Sequence, residues 1–199
     1  MTRILGTGVV FLLMTLPAAA QSMELGALVG FIPSTSLDRT AEELDDVGLD
    51  GGVTFAFNIA RFQTEHWGIA GEWTQHFSGF AIETADAPET LYDINISTLH
   101  GYVVYRFGGA DAKARPFVFG GAGLKYFSAR DLDAETKLSI GLGGGLSYFV
   151  SRSLAIEGRF AYKPTVMNDD DARPFCDAFG FCQSTLQQFE LMGGVRFRF

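Results

Sequence analysis

Long apolar segments are scarce in this sequence. After residue 20 there is no run of about 18 uncharged apolar residues, which is the length that a membrane-spanning helix requires. The sequence therefore argues against a helical inner-membrane protein.

Histidine and cysteine are also rare: the 199 residues include three histidines and two cysteines. Metal sites and nucleophilic catalytic groups are usually assembled from these residue types. The acidic run Asp169, Asp170 and Asp171 lacks the glycine and the distal glutamate of a calcium-binding loop. We therefore predict no metal site, no cofactor and no catalytic residue.

Positive charge is the third shortage. Fifteen lysines and arginines stand against 23 aspartates and glutamates, which gives a net charge of -8. Such a field repels phosphate groups. Nucleic acid is therefore not an expected partner.

The amino-terminal residues have the three parts of an export signal. Arg3 supplies a positive charge, residues 4–16 are largely apolar, and residues 18–20 are small alanines. This order is typical of a secretory signal peptide. We predict a signal peptide over residues 1–20 and a mature domain over residues 21–199.

The carboxy terminus has the pattern of a membrane strand, in which side chains alternate between two faces. One face is apolar or small and consists of Leu191, Gly193, Val195, Phe197 and Phe199. The other face carries charge at Glu190, Arg196 and Arg198. In lipid, only a closed barrel satisfies the backbone hydrogen bonds of every strand. The pattern therefore predicts a barrel strand with its charged face enclosed.

The same alternation recurs along the mature domain. It predicts eight strands, at about residues 23–32, 52–61, 67–77, 94–107, 116–127, 137–149, 154–163 and 191–199. Long loops are expected at residues 33–51, 78–93, 128–136 and 164–185, and the first is too polar to supply another hairpin. The predicted fold is all-β, an eight-stranded antiparallel up-and-down transmembrane β-barrel.

The fifth predicted strand is rich in phenylalanine. We expect Phe117, Phe119 and Phe127 to face lipid, because phenylalanine favours acyl chains and membrane interfaces. Lys125 would then extend to the lipid headgroups.

Acidic residues gather in the long loops. Seventeen of the 23 lie there, and alternate connections of an up-and-down barrel emerge at one rim. We expect this acidic rim to lie outside the cell, where it would meet lipopolysaccharide or an extracellular partner.

Two segments resemble a known family. Residues 116–123, PFVFGGAG, and residues 195–199, VRFRF, are similar to small eight-stranded outer-membrane barrels of the OmpA, OmpX and opacity-protein type. The resemblance extends by pattern over residues 23–199 and implies the outer membrane of a Gram-negative bacterium. It also implies insertion by the barrel-assembly machinery, whose terminal signal is matched by Gly194, Phe197 and Phe199. Met192 departs from that signal, which usually has a polar residue there.

Charged side chains on the inner faces are placed to form ion pairs. In the last hairpin Glu157 falls opposite Arg196 or Arg198. The network is expected to include Glu72, Arg106, Arg159 and Glu190. We predict that these groups fill the lumen, because eight strands enclose space only for side chains. The alternative is a narrow or gated pore.

Cys176 and Cys182 lie six positions apart in the last long loop. In an exported protein such a pair favours a disulfide. Free thiols or metal ligation are the alternatives.

Three functions follow from these features. A structural or surface-interaction barrel is favoured by the filled lumen and the acidic loops. The alternative is a narrow small-solute channel of the porin kind. The third is a lipid A-modifying or proteolytic enzyme. His76 at the upper rim is the residue to test for it, and its expected partner is Asp93 or a loop serine.

Overall fold

The computed structural model describes residues 22–33, 35–37, 47–49, 51–84, 87–109, 111–129, 135–166 and 185–199. Eight long strands dominate this part of the chain: β1 Ser22–Ile32, β2 Gly52–Phe62, β3 Trp67–Thr84, β4 Ala87–Arg106, β5 Ala114–Ala129, β6 Glu135–Phe149, β7 Leu154–Tyr162 and β8 Phe189–Arg198. Each strand pairs antiparallel with the next, and β8 also pairs with β1. The predicted eight-stranded up-and-down barrel is therefore confirmed. Among the described residues, no helix is long and apolar enough to cross a bilayer.

The closing seam between β1 and β8 requires a glycine. Glu24 pairs with Arg198 and Leu28 pairs with Gly194 across the seam. A Cβ at Gly194 would overlap the backbone carbonyl oxygen of Ala27. The two strands approach this closely only because position 194 has no side chain.

Burial alternates along each strand. In β2, for example, Phe55, Phe57 and Ile59 are exposed whereas Thr54 and Asn58 are buried. Thirty large apolar side chains are exposed in the described part of the chain, and an apolar surface of this extent indicates contact with lipid. The outer face is therefore the membrane face, and the inner face lines a lumen.

The inward and outward faces of β5 are the reverse of our prediction. Phe117 and Phe119 are buried in the lumen, and Phe127 lies on the same inward face of the strand. Lys125 is also buried in the lumen, with 1% exposure, and does not extend to headgroups. The outward face instead presents Val118, Leu124 and Tyr126.

The inner face of β6 explains this error. Phe119 pairs with Gly143 and Phe117 pairs with Gly145. A Cβ at either glycine would collide with the facing phenylalanine ring. The glycines of β6 provide the space that the rings fill, so phenylalanine in this barrel is not confined to the lipid face.

The predicted long loop at residues 78–93 is mostly strand. β3 continues to Thr84 and β4 begins at Ala87, with a register irregularity between Phe80 and Ala81. With 18 residues, β3 exceeds the 9 to 11 or so that cross a membrane. A strand outside lipid needs no apolar face, and the polarity of this segment therefore misled the prediction.

The first long loop also differs from our expectation. Thr35–Leu37 and Val47–Leu49 form a short hairpin, and Val47–Leu49 pairs with the upper part of β3, with Leu49 opposite Phe80. The loop was expected to be too polar for any hairpin that would make a ten-stranded barrel, and it nevertheless contains this short one. The hairpin adds to β3 beyond the closed ring, however, and the barrel keeps eight strands.

Candidate functional site: the charged lumen

The lumen contains an unusual concentration of buried charge for an acidic protein. Among the described residues, seven buried side chains are cationic: Arg106, Arg115, Lys125, Lys137, Arg159, Lys163 and Arg196. Four are anionic: Glu24, Glu72, Glu157 and Glu190. These groups occupy alternate positions of strands whose other face is apolar. Because alternate side chains of a strand point to the same face, these charges all point into the lumen.

The lowest cluster surrounds Glu24, near the end of the barrel that carries the short turns. Arg106 Nη2 donates to Glu24 Oε2 at 2.6 Å, and Arg198 Nε donates to Glu24 Oε1 at 3.0 Å. Arg196 Nη1 lies 3.5 Å from Glu24 Oε2. The carboxylate is fully buried and contacts three guanidinium groups. Sequence reasoning omitted Glu24 from the network, although its position beside outward Leu25 marks it as inward.

A second cluster joins the two strands of the last hairpin. Arg196 binds Glu157 through Nε at 2.5 Å and Nη2 at 2.9 Å. Ser147 Oγ donates to Glu157 Oε2 at 3.0 Å. Of the two partners considered for Glu157, the structure brings Arg196 to it, whereas Arg198 reaches Glu24.

A third cluster crosses the barrel. Glu72 on β3 is paired with Arg159 on β7, and Lys163 Nζ approaches Glu72 Oε1 at 3.2 Å and Glu190 Oε2 at 2.7 Å. β3 and β7 are four strands apart in a ring of eight, and the Glu72–Arg159 pair therefore spans the lumen. The predicted network did not include Lys163.

The position of Met192 in the lumen explains why this residue departs from the terminal assembly signal. Its side chain is 3% exposed and packs against Leu28 and Ala56 inside the barrel. Arg159 Nη2 donates to its sulfur at 3.1 Å. The thioether thus provides an acceptor at a position where a polar residue is usual.

Aromatic rings fill the space between the ion pairs. The guanidinium carbon of Arg106 lies 3.7 Å from the centre of the Phe62 ring, and that of Arg159 lies 5.7 Å from Phe119. Phe119 also meets Tyr102 edge to face, with centroids 4.9 Å apart. Rings at these distances favour a nearby cation. They also surround the ion pairs with apolar groups, which lowers the local dielectric and strengthens the electrostatic attraction.

The upper lumen is built differently, with a cation bound to neutral groups. Lys125 Nζ donates to the backbone oxygen of Lys163 at 2.9 Å and to the side-chain oxygen of Gln188. His100 is stacked on Tyr102 with centroids 5.3 Å apart, and His76 is 3% exposed. Neither buried histidine is open to a substrate outside the barrel. The side chain of Asp93, considered beside His76, lies outside the described residues.

The other predicted residues fall in two groups. Gly194 lies at the closing seam, while Phe197 and Phe199 are 48% and 73% exposed at the carboxy terminus. Cys176 and Cys182, the acidic run at residues 169–171 and the predicted signal peptide at residues 1–20 all lie outside the described residues.

Comparisons with known proteins agree with this geometry. A family model for the outer membrane protein beta-barrel domain matches residues 7–197. OprG from Pseudomonas aeruginosa has a TM-score of 0.63 at 13% identity, over 90% of this chain and 96% of that one. Neisserial surface protein A (NspA) has a TM-score of 0.59 at 14% identity, over 89% and 97%.

A third solved structure carries a ligand. Ail of Yersinia pestis, in complex with the heparin analogue sucrose octasulfate, has a TM-score of 0.50 at 17% identity, over 89% of this chain and 99% of that one. At these identities the similarity concerns the fold alone. No curated protein sequence matches the chain.

Proposed function

Because the chain belongs to the outer membrane β-barrel domain family, we propose that it is a non-conducting barrel of the bacterial outer membrane that presents its loops at the cell surface. Its role is structural or one of surface interaction. The finding that supports this most is the Glu72–Arg159 pair, which joins opposite walls of the lumen.

The arrangement of charges supports a closed lumen. Glu24 on β1 binds Arg106 on β4, and this pair closes the lower part of the barrel as the Glu72–Arg159 pair closes the middle. The described lumen contains a cavity of about 30 Å³, which holds about two water molecules. A hydrated solute would have to break buried ion pairs to pass, at a cost of several kcal/mol for each uncompensated charge.

A planar bilayer experiment tests the closed lumen. We expect the purified protein to give no stable conductance steps in potassium chloride, whereas Glu72→Ala, which removes the central carboxylate, should give occasional short openings. Trp73→Ala, at the neighbouring outward position, serves as the control and should stay silent. Regular conductance steps from the unmodified protein would favour the alternative, a narrow small-solute channel.

The acidic loops limit the partner that the surface would accept. Ail has been solved with a polyanionic heparin analogue, but the segments predicted as long loops in this chain contain 17 carboxylates and would repel a polyanion. We infer that the loops bind lipopolysaccharide phosphates through divalent cations, or a cationic partner. Binding of lipopolysaccharide vesicles should increase with magnesium and fall with a chelator. Binding of soluble heparin that is independent of magnesium would contradict this.

An enzymatic role is the weakest of the three. His76 and His100 are both at least 97% buried, so a lipid or peptide substrate would not reach either ring. Lipid A mass spectra from cells with and without the protein should be identical. A deacylated or acylated species that depends on His76 would contradict this conclusion.

A further inference from the structure

One cavity in the lumen lies among buried arginines and carboxylates. It lies in the half of the barrel nearest the short turns and has a volume of about 30 Å³. Phe62, Phe117 and Phe119 provide apolar walls, while Asn58 and Tyr102 contribute polar ones. The space accommodates a monatomic ion or about two water molecules, but no larger solute.

The side chains that line this cavity carry unpartnered donors. In the described part of the chain, Asn58 Nδ2, Tyr102 Oη, Arg106 Nε and Arg159 Nε have no hydrogen-bond partner. All four side chains are more than nine-tenths buried. Buried donors without an acceptor are costly. Asn58 Oδ1 is the matching unpartnered acceptor, and donors therefore predominate.

The ion pairs around the cavity do not balance. Five cationic side chains take part in the lumen network: Arg106, Arg159, Lys163, Arg196 and Arg198. The carboxylates they contact number four: Glu24, Glu72, Glu157 and Glu190. Three of the cations and only two of the carboxylates line the cavity itself. Each of these cations contacts a carboxylate, but the network as a whole carries one more positive than negative charge, and excess buried charge is unfavourable.

We propose that this cavity binds one small monovalent inorganic anion, with chloride as the occupant of fitting size. The anion supplies the negative charge that the network lacks, and unpartnered donors of the lining replace part of its hydration shell. Hydrogen bonds to an ion are stronger than those between neutral groups. The site stabilises the closed lumen from within and needs neither a loop ligand nor conduction.

The first test compares anions at equal ionic strength. We expect the purified protein in detergent micelles to melt at a higher temperature in sodium chloride than in sodium gluconate, whose anion is too large for the cavity. At about ten times the dissociation constant, the folded-to-unfolded ratio rises about tenfold, and Tm rises by about 3 °C for a chain of this length. Equal melting temperatures in the two salts would overturn the proposal.

Tyr102→Phe provides the sharper test, because it removes one donor without changing the shape of the wall. For the same stabilisation, the variant should require a chloride concentration at least about tenfold higher than the unmodified protein requires. In gluconate it should be as stable as the unmodified protein or more so, because it lacks an unpartnered hydroxyl. Tyr105→Phe is the matched control: Tyr105 lies on the outer face against Trp67 and Phe107 and should leave the chloride dependence unchanged. Equal chloride dependence in both variants would overturn the proposed site.

Crystals grown in sodium bromide give a direct readout. Bromide should appear as one anomalous peak in the cavity, within hydrogen-bond distance of Tyr102 Oη. In Tyr102→Phe crystals the peak should be weaker at equal bromide concentration. A cavity that holds only water in both crystals would contradict the proposal.

Discussion

The two faces of each strand carry different amounts of information. On β7, Ile156 and Phe160 are 56% and 48% exposed on the outer face, whereas Glu157 and Arg159 are 2% and 6% exposed in the lumen. An outward side chain meets lipid, which adapts to any apolar shape. An inward charge meets one particular partner at hydrogen-bond distance. The outer face therefore sets the location of the protein in a membrane, while the inner face determines the specific packing of this barrel.

Glycine shows the same division between the two faces. A Cβ at inward Gly143 would overlap the Phe119 ring and the backbone oxygen of Phe160, whereas a Cβ at outward Gly158 would meet no atom within 4 Å. Inward glycines are therefore required by packing, and outward Gly158 is not.

The largest difference between the faces is expected for Glu157→Ala. The change leaves Arg196 buried and without its main partner, and we expect a loss of about 3 to 5 kcal/mol of unfolding free energy. Ile156→Ala, the adjacent outward change, should stay within about 0.5 kcal/mol. Urea unfolding from lipid vesicles measures both. A large increase in conductance with unchanged stability in Glu157→Ala would show that the ion pair gates a pore instead of supporting the wall.

A charge on the outer face should have the next largest effect. Leu99 is 62% exposed near the middle of the outward row of β4, where an arginine would have to enter the hydrocarbon. We expect Leu99→Arg to lower the unfolding free energy by about 2 kcal/mol. Thr98→Val changes the neighbouring inward residue and adds no charge. The same measurement in detergent should give a smaller loss for Leu99→Arg, and equal losses in detergent and lipid would contradict membrane exposure at residue 99.

The barrel and most of its inner charges could be predicted from period-two alternation, because a strand converts sequence parity directly into inside or outside. Alternation predicted the orientation correctly where one parity was clearly charged, as at Glu157 and Arg159 on β7. It gave the wrong parity for β5, where both parities are apolar or small around Gly120 to Gly123. Lys125 is the one charged residue of the segment and lies on the inward parity, but the prediction extended it to the lipid headgroups. The facing glycines of β6, which make room for the rings, lie outside the segment.

The pairing of the lumen charges was less accessible to sequence reasoning than their presence. Neighbouring strands constrain Glu157 and Arg196, which meet within one hairpin. The Glu72–Arg159 and Glu24–Arg106 pairs join strands that are not neighbours, and depend on barrel diameter and stagger. The extension of β3 and β4 was missed for a different reason: beyond lipid, the alternation that marks a membrane strand is no longer required.

Two glycine-to-alanine substitutions test the difference in packing between the inner and outer faces, because each adds a single methyl group. Gly143→Ala should lower the unfolding free energy by about 1 to 3 kcal/mol, because the lumen is already filled by the Phe119 ring. Gly158→Ala should be neutral or stabilise by about 0.4 to 1 kcal/mol, because it reduces the freedom of the unfolded chain. Combining Gly143→Ala with Phe119→Leu should recover part of the loss. If the two alanine variants were equally stable, the inner face would be less tightly packed than its contacts indicate.

The smallest expected difference concerns two serines that face opposite ways. Ser147 donates to buried Glu157 at 3.0 Å, and Ser97 donates to Gln75 at 2.5 Å on the outer face. Ser147→Ala should cost about 1.5 kcal/mol because its acceptor is charged, and Ser97→Ala about 0.5 to 1 kcal/mol because its acceptor is neutral. A double-mutant cycle separates the contact from the loss of the hydroxyl. In the Glu157→Ala background, Ser147→Ala should cost almost nothing, whereas Ser97→Ala should keep its full effect. A Ser147 effect that persisted without Glu157 would mean that the hydroxyl acts through another group of the lumen.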